Sequence, residues 1–99
     1  MPKGCWIAHV DVHDADAYKN SANGAVFAKF GGRFLVRGGL FEVGEGRVRS
    51  RNVVIEFPSY EVARNCWHSP EYKAAKAKQE GGAEADLIII EGYDGPQPG

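Results

Sequence analysis

At 99 residues the chain has room for one domain with a modest core and none for a second. Hydrophobic residues make up 43% and charged residues 25%, an ordinary globular balance, and a net charge of −1 gives no electrostatic reason to expect nucleic acid or an anionic membrane as partner. The opening MPKGCWIAHVD reaches Asp11 before a signal-peptide core can form, and no apolar run approaches a membrane span, so the expected setting is cytoplasmic. Cys5 and Cys66 stand too far apart for a CxxC motif. Two reduced thiols are the commoner state there, although the sequence leaves a disulfide open.

In chain order, CWIAHVDV (5–12) is rich in β-favouring residues and predicts a first strand. Asp14 is a plausible N-cap for a helix over 15–30, in which Tyr18, Ala22, Val26 and Phe30 recur at i+4 steps. Gly31 and Gly32 stop that helix. RFLVRG (33–38) predicts the second strand, with GLFEVGEG continuing as a ribbon or hairpin arm, and RNVVIEF (51–57) predicts the third, closed by Pro58. Ser59 caps a short helix through about His68. Ser69 then restarts one, with Pro70 where its missing N–H is harmless and Glu71 favoured by the dipole. KAAKAKQE extends it as a solvated face until Gly81 and Gly82, DLIIIEGY (86–93) predicts a fourth strand apolar on both sides, and residues 94–99 form a frayed tail.

The order β-α-β-β-α-β with right-handed crossovers predicts a ferredoxin-like α+β fold: one four-stranded antiparallel sheet, strand order 4-1-3-2, both helices on one face. Such a sheet leaves its other face open, and LIIIEG is too apolar for that face to stay wet. Two sheets packed face to face in a homodimer are the simplest closure.

The blocks YKNSANGAVFAKFGGRFLVRGG, NVVIEFPSYEVARNCWHSPEYKAAK and DLIIIEG resemble the domain-of-unknown-function family 1330, over nearly the whole chain from about Gly4 to Gly92. The resemblance implies a single-domain dimeric α+β barrel, an architecture shared with small cofactor-free monooxygenases, lactone isomerases and haem-degrading enzymes. It implies no particular activity. Cys66-Trp67-His68 departs from the family's usual pattern of aromatic and small residues at these positions.

Strand parity sorts the candidate chemistry. Period two places Arg33, Leu35 and Arg37 on one face and Phe34, Val36 and Gly38 on the other. It sets Trp6, Ala8 and Val10 against Cys5, Ile7, His9 and Asp11, and Val53, Ile55 and Phe57 against Val54 and Glu56. The apolar sets suit the helix-covered core. His9, Glu56 and Arg37 then share the other face on three adjacent strands, as a candidate acid or base, its orienting carboxylate and an anion-binding group. The same trio also reads as a structural Arg37–Glu56 pair with His9 as a further hydrogen-bonding member, and this is the stronger reading.

Two further groups stand out. HVDVH offers His9, Asp11 and His13, but three alternate strand residues spread over about 13 Å, too far for one ion, so no metal is expected. Trp67, His68 and Tyr72 near the helix break, with Tyr18 on the first helix, form a candidate rim for a flat organic ligand; the plainer reading makes the aromatics core and Cys66 an inert buried thiol. No phosphate loop, dinucleotide fingerprint or Ser-His-Asp pattern is present, and no cofactor is expected. Two function classes follow: a cofactor-free protein that binds or transforms a small organic molecule in a barrel pocket, or a non-catalytic binding or assembly protein whose polar cluster only fixes the dimer.

Overall fold

The computed structural model describes residues 2–13, 23–78 and 82–99. The strands are β1 (Gly4–Val12), β2 (Arg33–Arg37), β3 (Arg51–Phe57) and β4 (Ala83–Glu91); the helices are α1 (Asn23–Lys29), α2 (Tyr60–His68) and α3 (Pro70–Ala77). The strands form one antiparallel sheet in the order β2-β3-β1-β4, the ferredoxin-like order read from the sequence. The proposed cap Asp14 and the residue Tyr18 lie outside the described residues.

Local chemistry explains the boundaries. Gly31 takes φ +74, the left-handed conformation that ends α1 at little cost only for glycine. Ser59 caps α2 by accepting from the Val62 N–H at 3.1 Å. Ser69 joins the two later helices: its Oγ donates to the Cys66 carbonyl at 2.7 Å and accepts from the Tyr72 N–H at 3.1 Å, so this buried hydroxyl is satisfied both ways. Gly4 lets α2 approach the sheet, because a Cβ there would meet the Ser59 carbonyl oxygen at 2.3 Å. Strand β4 begins three residues earlier than predicted, since Ala83, Glu84 and Ala85 pair with Val12, Asp11 and Val10 despite their weak β propensity. Pairing overrides propensity here.

The core lies between the sheet and the helices and is built around Trp6, which is 1% exposed. Its indole sits 5.0–5.8 Å from the rings of Phe27, Phe57, Trp67 and Tyr72, mostly edge to face. The indole N–H donates to the Ala63 carbonyl of α2 at 2.8 Å, 57 residues away in the chain. Ala8, Val10, Val53, Ile55 and Phe57 complete the sheet side, as parity predicts. Cys66 is fully buried, and burial, followed by the nearby Glu71 charge, pushes its thiol up to about 12. Both cysteines are free thiols, and within one chain they lie on opposite sides of the sheet.

Strand β2 departs from strict alternation. Arg33 and Phe34 stand opposite Glu56 and Ile55, but Val36 and Arg37 stand opposite Val54 and Val53, so Leu35 is an extra residue, a β-bulge. Beyond it every side chain changes face. Val36 therefore joins the open face and is 43% exposed, whereas Arg37 turns to the helix side and lays its guanidinium 4.3 Å from the Phe34 ring centre. The expected face sharing of Arg37 with Glu56 is thus corrected. Glu56 pairs with Arg33 instead, Nε to Oε1 at 3.3 Å. The segment 38–50 is likewise neither ribbon nor hairpin, since none of it is strand.

Replacing Trp6 with Phe removes the indole donor and part of the ring, and should cost about 2–3 kcal/mol of stability. Urea unfolding at fixed protein concentration should show a lower midpoint and an unchanged slope. A midpoint within error of the parent would show that the Ala63 contact contributes nothing. For the bulge, a double-mutant cycle should give an Arg33–Glu56 coupling of about 0.2–1 kcal/mol, as for exposed pairs, and an Arg37–Glu56 coupling near zero. The reverse order of couplings would restore the unbulged register.

Candidate functional site

The functional interest lies on the sheet face away from the helices, which the register divides into cross-strand rows about 7 Å apart. One row runs Arg33–Glu56–Cys5–Ile90. The next, Val36–Val54–Ile7–Ile88, is apolar across all four strands. Asn52–His9–Asp86 follows, and then Asp11–Glu84 at the sheet's end. Ile88 is 54% and Ile90 45% exposed, a large apolar area facing water in the single chain.

His9 stands where the apolar row meets the polar ones. Its Nδ1 is hydrogen-bonded to Asn52 Oδ1, an acceptor, so Nδ1 carries the proton and Nε2 is the basic nitrogen of the neutral ring. With Ile7, Asp86 and Ile88 it lines an open depression. A ring of set tautomer beside an apolar strip has the parts for accepting a proton from a molecule lying over that strip.

The end row is organised by a residue that sequence reasoning did not single out. Arg49 binds Asp11 through Nη1 at 2.9 Å, Asp86 through Nε at 3.0 Å and Glu84 through Nη1 at 3.3 Å. Asp11 also accepts from the Ser50 N–H at 2.9 Å. That backbone hydrogen bond, helped by Arg49, holds the Asp11 carboxyl below the usual carboxylate range. Hydrogen bonding by Asp86 and then Asp11 moves Arg49 in the opposite direction, further stabilising its charged form. Parity alone places Asp11, Glu84 and Asp86 on one face; their convergence on a residue just ahead of β3 is visible only once the register is known.

The predicted site residues separate. His9 and Glu56 share the face, but Glu56 stands opposite Cys5, four residues from His9 and so about 13 Å along the strand. Arg37 is on the other side of the sheet. The trio is not one cluster. His9, Asp11 and His13 are engaged separately, with Asn52, Arg49 and Glu84 respectively, and among the described residues no group of three His, Cys, Asp or Glu side chains is placed to hold one metal ion. Trp67 and Tyr72 come together with ring centres 5.3 Å apart, but they do so against Trp6 in the core, with Lys76 Nζ covering Trp67 at 4.7 Å. His68 is exposed at the end of α2. No helix among the described residues is long and apolar enough to cross a membrane.

No curated protein matches the sequence. Solved structures show the fold. A protein of unknown function from Rhodopseudomonas palustris superposes with a TM-score of 0.69 at 20% identity, over 95% of this chain and 85% of that one. SnoaB, a cofactor-independent oxygenase from Streptomyces nogalater, gives 0.62 at 13% identity over 99% and 97%. A dimeric protein of unknown function and ferredoxin-like fold from Bacteroides fragilis gives 0.58 at 15% identity over 92% and 97%. At these identities the likeness speaks for the fold alone. The sequence itself is more specific: residues 3–93 match the family described as "Domain of unknown function (DUF1330)", and the chain belongs to that family.

Proposed function

We propose that the chain works as a cytoplasmic homodimer, closed by its open sheet faces, and that the dimer takes up a small, mostly apolar organic molecule over the Val36–Val54–Ile7–Ile88 row, without a cofactor. The observation that carries this reading is the His9–Asn52 pair bordering that row. A flat apolar ring bearing one hydroxyl fits it: the ring covers aliphatic side chains and the hydroxyl donates to Nε2. Proton abstraction from that hydroxyl is the chemistry His9 is built for, with Asn52 holding the tautomer. The exposed isoleucines and the dimeric Bacteroides fragilis neighbour support the homodimer, and two unpaired thiols suit a reducing compartment. SnoaB shows that this fold accommodates oxygenase chemistry without a cofactor in another protein. Arg37 and Glu56 have no part in this site.

Sedimentation equilibrium should find a dimer at micromolar concentration. Ile88→Asp should dissociate it, whereas Lys73→Asp on the helix face should not; a monomeric parent chain overturns the homodimer. For the ligand, thermal melting with a panel of fused-ring phenols should raise Tm by several degrees for at least one compound, since a ligand at 100 times its Kd stabilises by about 2.7 kcal/mol. His9→Phe should remain dimeric and lose that response. A panel without any response, or a response that survives His9→Phe, favours instead a non-catalytic assembly protein whose polar rows only fix the dimer.

A further inference from the structure

We infer that the segment 39–48 is an intermolecular arm, which in the homodimer lies across the partner's open sheet face and closes the depression lined by His9. The inference rests on the homodimer proposed above. Every residue from 39 to 48 is exposed, and the arm nevertheless carries Leu40 at 108%, Phe41 at 53%, Val43 at 44% and Val48 at 44% relative exposure. Four large apolar side chains in ten residues, one fully and three about half exposed, form the kind of surface that monomers avoid.

Its root is firmly held. Arg49 and Ser50 fasten the arm's C-terminal end to Asp11, Glu84 and Asp86, all on the open face. At its N-terminal end the Gly38 N–H donates to the Asn52 carbonyl at 2.9 Å, and Gly38 takes φ +65. Through its C-terminal end the arm is continuous with the open face.

Area decides for a second copy as the occupant. A stable interface needs about 800 Å² per partner. At roughly 100 Å² for each large apolar side chain, the arm supplies about 400 Å², half of that requirement, and the open face supplies the rest. Two-fold symmetry accounts for both uncovered surfaces together, because the two faces then meet and each arm reaches over the His9 end of the other's face. The depression at His9 is consequently incomplete in one chain, and its outer wall comes from the partner.

The test mixes two versions of the chain. One, at natural isotopic abundance, carries Glu42→Cys and Cys5→Ser with a nitroxide label at position 42; Cys66 is buried and escapes labelling. The other is the parent chain labelled with nitrogen-15, so any broadening crosses between chains. With the nitroxide chain in several-fold excess, amide signals of Ile7, Ile88 and Ile90 should lose most of their intensity, while those of Lys73 and Ala74 on the helix side should keep theirs. In parallel, Leu40→Asp with Phe41→Asp should raise the dimer dissociation constant roughly tenfold or more. A dimer in which Ile88 and Ile90 are not broadened overturns the arm and leaves the homodimer standing. A parent chain that sediments as a monomer overturns both.

Discussion

One hydrogen bond and the rings around it hold the two layers of this protein in register. Trp6 sits near the start of a central strand, and its indole N–H reaches the Ala63 carbonyl of α2 across the core. A buried indole N–H without an acceptor is costly, so the bond sets not only the distance between helix and sheet but also the rotation of α2 about its axis. That rotation turns Cys66 inward and places Trp67 beside Tyr72. Gly4 and Ser59 at the start of α2, and Ser69 at its end, are the local devices that make this approach possible.

Because all of the helix packing is on one side, the other side of the sheet is left as a ruled surface on which cross-strand register dictates chemistry. An apolar row crosses all four strands; a polar row and a charged row lie beyond it on one side. His9 takes its properties from where it falls in this pattern, between Ile7 and Asp11 along the strand and between Asn52 and Asp86 across it. Asn52 sets the tautomer while Arg49 occupies the acidic neighbours, so the imidazole does not simply become one more member of an ion-pair network.

The bulge at Leu35 shows how one backbone event redistributes chemistry. An edge strand tolerates an inserted residue because only one neighbour constrains it. The insertion trades Arg37 for Val36 on the open face, extending the apolar row to the sheet's edge and giving Phe34 a cationic cover on the helix side. Arg33, ahead of the bulge, keeps its face and its pairing with Glu56. Two arginines four positions apart in one short strand therefore serve opposite sides of the sheet.

The element order, the helix caps at Ser59 and Ser69, the glycine stop at Gly31, the strand order and the core faces of β1 and β3 were all legible in the sequence. They depend on periodicity and local hydrogen bonding, which act over a few residues. The apolar character of β4 likewise announced an open face in need of cover. Tertiary structure alone decided which residues meet across strands. Parity assigns a residue to a face but not to a row, so His9, Glu56 and Arg37 looked like neighbours when four residues of strand and a bulge separate them. It also hid the two partners that matter: Asn52 opposite His9, and Arg49, from the end of an arm with no periodicity to read, among three carboxylates. The physical reason is that side-chain alternation is a property of each strand by itself, whereas register and bulges are settled by the packing of the whole sheet against Trp6 and the helices.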